Sequence, residues 1–95
     1  MRLRWFSQAI ADLVSLRAYI AQDNPIAARE VSDRILKAVN LLADQPGIGR
    51  PGRVEGTKEL VISGTPYIVP YRIKKGEIEL LRVFHGARQW PINPD

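Results

Sequence analysis

The sequence predicts an α+β fold, β-α-α-β-β-β, in which a helix hairpin packs on one face of a small antiparallel sheet. Three observations predict it. Two adjoining segments carry apolar residues at helical spacing, and Asn24-Pro25 divides them. A loop follows in which five of the seven residues from 46 to 52 are glycine or proline, a composition that regular elements tolerate poorly. Beyond it, three short segments alternate apolar and polar residues as strands do.

Taken in order, Leu3 and Trp5 alternate with Arg2 and Arg4, giving a short first strand with one apolar face. Ser7 is the expected N-cap of the first helix. Ile10, Leu13, Val14 and Ile20 mark the buried face of that helix, with Leu16 and Tyr19 beside it, and it ends near Gln22. Asn24 caps the second helix. Pro25 takes its first position, where a missing N–H is no loss. Ala28, Val31, Ile35, Val39 and Leu42 recur at threes and fours along one stripe, and the helix reaches about Asp44. Two helices joined so tightly form an antiparallel hairpin.

The next strand covers residues 58–63, with Leu60 and Ile62 on one face, and Gly64-Thr65-Pro66 turns it. Residues 67–73 form another, with Tyr67, Val69, Tyr71 and Ile73 on one face. Pro70 cannot donate to a ladder, so it predicts an edge position or a bulge. Lys74-Lys75-Gly76 is a hairpin turn. The last strand, residues 77–84, turns Ile78, Leu80 and Phe84 one way and Leu81 and Val83 the other. Apolar residues on both faces predict an interior strand. The helices must cover one sheet face, which leaves the other to solvent or to function.

At 95 residues the chain reads as a single domain, 1–95, with an ordinary 45% of hydrophobic and 25% of charged residues. It has no cysteine, no signal-peptide pattern and no apolar run of membrane-spanning length, so a soluble cytoplasmic protein is expected. The net charge is +4 and uneven. Residues 1–48 carry six Lys/Arg against five Asp/Glu, and residues 49–95 carry eight against five. A basic strand-rich half favours an anionic partner, either nucleic acid or an acidic protein segment.

One histidine, no cysteine and no acidic cluster exclude a plausible zinc site, and no metal or cofactor is expected. The glycines at 47, 49 and 52 lack the Lys-Ser/Thr and the following helix of a phosphate loop. The serines lie on helices, caps or a strand end, without the context of a catalytic triad. Phosphodiester cleavage remains chemically open, since it needs an acid or base and cations for the phosphoryl oxygens. His85 is the candidate acid or base, and Arg82 and Arg88 the candidate cations, with Arg50, Arg53, Lys58 and Arg72 as further ones. A single histidine at a strand end is nonetheless more often solvated than catalytic. Trp90 is placed to stack on a base or, more commonly, to pack on its own domain.

Several patterns, in this order, resemble the RelE/ParE superfamily of type II toxin–antitoxin toxins. They are the helix start at Ser7, the Asn24-Pro25 junction, Pro46-Gly47-Ile48-Gly49-Arg50-Pro51-Gly52-Arg53, and Lys58-Glu59-Leu60 with Pro66-Tyr67-Ile68-Val69-Pro70-Tyr71. The last is Leu80-Leu81-Arg82-Val83-Phe84-His85-Gly86-Ala87-Arg88-Gln89-Trp90. The resemblance spans nearly the whole chain and is nearer the ParE branch. RelE-type relatives are ribosome-dependent messenger-RNA endonucleases that carry several basic residues on the sheet surface, or a Glu/Arg/His set with an aromatic after the histidine. Here Gly86 follows His85, and Tyr67 stands where such nucleases place an arginine. ParE-type relatives instead act on DNA gyrase.

The resemblance therefore implies a gyrase-binding toxin that is not an enzyme. The alternatives are a RelE-like endonuclease using Arg82, His85 and Arg88, and a non-toxic member that only binds antitoxin. It also implies a cognate antitoxin whose C-terminal segment, acidic by charge complementarity, wraps the toxin. The residues expected to meet a partner are Leu16, Tyr19, Leu36, Arg50, Arg53, Arg72 and Trp90.

Overall fold

The structure, a computed structural model, describes residues 1–87. Its elements run β1 (Arg2–Trp5), α1 (Ser7–Ala21), α2 (Pro25–Leu41), β2 (Arg50–Pro51), β3 (Lys58–Val61), β4 (Tyr67–Lys74), β5 (Glu77–Leu80) and β6 (Phe84–His85). The sheet order is β1-β5-β4-β3-β2, and β6 also pairs with β4. The expected succession is present, with β2 as an addition and the last strand in two parts, β5 and β6. The sheet is mixed where an antiparallel one was expected, because β1 runs parallel to β5. The β2–β3, β3–β4, β4–β5 and β4–β6 pairs are antiparallel. Tight turns force that direction on β3, β4 and β5. The connection from β1 to β5 is long and contains both helices, so it allows a parallel pair.

Helix α1 starts one residue differently from the sequence expectation. Phe6 is the N-cap, and no side chain caps the helix. The reason is the sheet: the Phe6 N–H donates to the Leu80 carbonyl at 3.0 Å, while the Phe6 carbonyl accepts from Ala9 and Ile10. The strand therefore runs directly into the helix. The buried stripe is also shifted. Ala9 and Leu16 are buried and Leu13 and Ile20 half-buried, whereas Ile10 and Val14 stand 49% and 63% exposed. The 9-13-16-20 spacing is helical, and its first member is small enough to be passed over when apolar residues are weighted by size.

Helix α2 follows expectation more closely. The Asn24 side chain accepts from the Ala27 N–H at 3.0 Å, and Pro25 opens the helix. Its stripe buries Ala28, Ile35, Val39 and Leu42. The helix ends at Leu41, three residues before Asp44, and the chain leaves through a turn closed by the Gln45 N–H on the Leu41 carbonyl. Ile35, Val39 and Leu42 pack with Leu60, Ile62, Val69, Tyr71, Ile78 and Leu80 in one core cluster. Within it, the Tyr71 hydroxyl donates to the Pro46 carbonyl at 2.8 Å and accepts the Gly49 N–H at 2.9 Å. Those bonds seat the glycine–proline loop on the core. A Cβ at Gly49 would lie 2.6 Å from the phenol, so only glycine allows this approach.

Pro70 lies in the central strand, not at an edge. Its carbonyl accepts from the Leu81 N–H at 2.9 Å, so its missing N–H faces the β5 side. There the ladder breaks. Tyr71 pairs with Leu80 and Ile68 with Phe84, so three steps along β4 oppose four on the other chain segment. One extra residue makes a bulge, the second of the two outcomes that Pro70 predicts. It also splits the expected final strand into β5 and β6. As expected, β5 is interior, between β1 and β4.

Candidate functional site

The bulge determines what the last strands can do chemically. Past the Leu81 N–H, which still donates to the Pro70 carbonyl, it lifts residues 82–83 out of the ladder, and Asp12 of α1 takes the Arg82 side chain and the Val83 N–H. The Asp12 carboxylate accepts Nε of Arg82 at 2.7 Å, Nη2 of Arg82 at 3.1 Å and the Val83 N–H at 2.9 Å. This forked pair favours the charged guanidinium, so the Asp12 hydrogen bond pushes the Arg82 pKa further up, against partial desolvation. Arg82 is thus a clamp between α1 and the sheet.

Beside the clamp lies a groove of about 530 Å³, lined by Asp12, Ser15, Leu16 and Tyr19 of α1 and by Tyr67, Val83, Phe84 and His85. Leu16 is buried and forms part of its floor, while Tyr19 is 72% exposed. His85 is exposed, and its ring stands edge-on to Tyr67 with centroids 5.9 Å apart. Its Nδ1 accepts the Ala87 N–H at 3.1 Å, which places the proton of the neutral ring on Nε2.

The sheet face away from the helices has a different chemistry. Two carboxylates are buried in it. Glu59 accepts Nε and Nη2 of Arg50 at 3.2 and 3.0 Å and the Arg53 N–H at 3.0 Å, and the Arg53 guanidinium lies 3.5 Å away. Glu79 sits between Arg72 and Arg4, its partners across β4 and β1. The hydrogen bond from Arg72 holds the Glu79 carboxyl below the usual carboxylate range. Desolvation opposes this shift, and the nearby charges of Arg72, Arg4 and Lys74 reinforce it. Both arginines also lie over the Phe6 ring, at 5.5 and 5.8 Å from its centroid.

The sequence-predicted residues therefore fall in several places. Leu16, Tyr19 and His85 share one groove. Leu36, on α2, is at the margin of exposure. Arg50, Arg53 and Arg72 belong to the carboxylate-bearing face. Lys58 pairs with Tyr71 at the β3–β4 register. Arg82 does not join His85 in an open patch, because Asp12 holds it. Arg88 and Trp90 lie outside the described residues. The reading of the sequence missed Asp12, Glu59 and Glu79. It had one available signal, the alternation of Glu77 and Glu79 with apolar residues, and that pattern equally fits solvent-facing charges.

A helix hairpin on one face of a bulged, mixed sheet is an architecture this chain shares with solved members of the RelE/ParE superfamily. The family model described as "ParE toxin of type II toxin-antitoxin system, parDE" matches residues 3–90. The chain is 48% identical over 90 residues to "Putative toxin Y4kP" of Sinorhizobium fredii (strain NBRC 101917 / NGR234), covering 95% of this chain and 93% of that protein. It is 36% identical over 84 residues to "Toxin RelE2" of Caulobacter vibrioides (strain ATCC 19089 / CIP 103742 / CB 15), covering 88% and 93%. The solved structure described as "Chromosomal ParDE TA system from P. aeruginosa" superposes with a TM-score of 0.79 at 32% identity, covering 90% of this chain and 95% of that one. The chain belongs to the ParE toxin family of type II toxin–antitoxin systems. Among the described residues, no helix is long and apolar enough to cross a membrane.

Proposed function

We propose that this toxin acts by binding DNA gyrase and blocking it, with no phosphodiester chemistry of its own. The reading rests on Arg82. Cleavage by the residues the sequence offers needs a cation free to meet a phosphoryl oxygen near His85. The Arg82 guanidinium instead gives Nε and Nη2 to Asp12, and the same carboxylate takes the Val83 N–H. Turning Arg82 toward a substrate would leave a carboxylate without its cation and loosen the bulge from α1. The match to the ParE toxin family supports the same side of the superfamily.

The neutralising partner is a cognate antitoxin. The solved relative is a ParDE toxin–antitoxin system, and an acidic segment complements a chain of net charge +4. Its apolar anchors have two places to rest: the groove walled by Tyr19 and Tyr67 over Leu16, and the helix surface around Leu36. The cytoplasm, where gyrase works, is the corresponding location.

One observation favours a second reading. His85 stands in an open groove beside Tyr67 with Nε2 unused by any described bond, an arrangement a ribonuclease can use for acid–base work. Titrating the purified protein into a gyrase supercoiling reaction, beside a ribosome-bound messenger-RNA cleavage assay, separates the two. Lost supercoiling with accumulated cleaved DNA and intact messenger RNA is the expected result. Codon-positioned RNA cuts with unaffected gyrase overturn it.

A further inference from the structure

We propose that the sheet face opposite the helices binds the phosphate backbone of duplex DNA, without regard to base sequence. The argument begins with where the charges sit. Three lateral rows cross this face: Arg2–Glu77–Lys74, Arg4–Glu79–Arg72 and Arg50–Glu59. Rows are about 6.6 Å apart along the strands, and neighbouring strands about 4.8 Å apart. The two carboxylates in the inner rows are buried, whereas their arginines reach solvent, with side chains 61% exposed at Arg4 and 53% at Arg50. In the outer row Arg2 is 84% exposed and only loosely paired with Glu77, at 3.8 Å. Lys74 is exposed beside it. Viewed from solvent, the negative charge of Glu59 and Glu79 lies beneath and the positive charge on top.

The donors left over decide the ligand. Arg50 already spends Nε and Nη2 on Glu59, and Arg72 spends Nε on Glu79. The side-on fork that grips a second carboxylate is therefore used up at both residues. What remains are outward Nη N–H donors, three at Arg50 and four at Arg72 by these bonds, spread over a basic surface that suits successive phosphate oxygens along a backbone. The buried glutamates hold these groups in place before any ligand arrives, so little side-chain entropy is lost on binding.

Among the described residues, the aromatic content of this face points to a duplex over a single strand. A single strand needs ring faces on which bases stack. Phe6 has Arg4 and Arg72 over its ring, and Phe84 is buried. The exposed Tyr19 lines the groove on the helix side. This inference does not depend on gyrase, and its test contains none.

Fluorescence anisotropy with a labelled duplex of arbitrary sequence measures it across 50 to 200 mM salt. With three to five phosphates neutralised, the slope of log affinity against log salt should lie between about −3 and −4.5, and affinity should fall roughly 100-fold over that range. The double variant Arg2→Gln/Lys74→Gln should flatten the slope by about 2 and weaken binding roughly 10- to 100-fold at 100 mM. Arg29→Gln/Lys37→Gln on α2 removes the same charge and should leave both nearly unchanged. Lys74→Gln alone, at an exposed position, should flatten the slope by about 1. Three results overturn the proposal: no salt-dependent binding at 50 mM, equal losses in the two double variants, or tighter binding of a polyglutamate peptide or single-stranded RNA than of the duplex. Supercoiling inhibition is read separately, so gyrase action and DNA binding can fail independently.

Discussion

Glu59 and Ile62 lie three residues apart and are equally buried, each 1% exposed, yet opposite faces of the sheet bury them by opposite means. Ile62 enters a cluster of aliphatic side chains and Tyr71 under the helices. Glu59 is enclosed by the guanidinium groups of Arg50 and Arg53. The first face gains from removing apolar area from water. The second pays desolvation and offsets it with charge-assisted hydrogen bonds, so it contributes little net stability while fixing where its cations stand. The contrast teaches that low exposure has no single meaning in this molecule. On one face it marks the core, and on the other it marks the anchors of a binding surface.

The comparison breaks most readily on the core face. Ile35 is fully buried between α2 and the sheet, so Ile35→Ala should cost about 2–5 kcal/mol of unfolding free energy, measured by urea denaturation. A loss under about 1 kcal/mol would mean that the helix hairpin is not seated on the sheet as described. Tyr71→Phe tests the polar join between core and loop. It leaves the Gly49 N–H and the Pro46 carbonyl without their phenol partner, at a cost of about 1–3 kcal/mol. Hydrogen exchange should then rise in residues 46–52 before it rises in the strands.

The carboxylate face is sharpened by acid. Arg72 holds the Glu79 pKa below its ordinary value, 4.5, so the folded state binds fewer protons at this site than the unfolded state in that window. Its contribution to stability is full above the ordinary carboxylate pKa and is lost as pH falls through the lower, folded value. Thermal unfolding from pH 6 downward should show this decline, and Glu79→Gln should flatten it. The same decline in the variant would place the acid sensitivity at another carboxylate.

How much of this was legible in the sequence follows the same division. Residues on the core face announce themselves through periodicity: the α2 stripe, the Tyr67-Val69-Tyr71 alternation and the Asn24-Pro25 start all fold as read. Pro70 even foretells the bulge, because a missing N–H is a local fact. The other face stayed hidden because its chemistry is made by register. Arg4 and Glu79 are 75 residues apart in sequence, and Asp12 meets Arg82 across 70. Nothing in a pattern of period two says which arginine will lie beside which glutamate, or that β1 will enter parallel to β5. Ile10 and Val14 were placed on the wrong side for a simpler reason: Ala9 occupies the buried position and has little side chain to betray it.

The smallest expected effect falls on His85, and it bears directly on how the protein acts. His85 is exposed, and its described contacts are one backbone N–H at Nδ1 and the edge of Tyr67. Neither face of the sheet depends on it. His85→Ala should therefore leave the unfolding free energy within about 0.5 kcal/mol of the parent. Growth arrest on induced expression without antitoxin should persist, since a toxin that works by occupying its target loses little with one exposed ring. A nuclease behaves otherwise: removing its acid or base costs on the order of 100-fold or more in cleavage rate. A folded His85→Ala protein that no longer arrests growth would move the function from the surfaces of this molecule to its groove, and would require Arg82 to leave Asp12 during turnover.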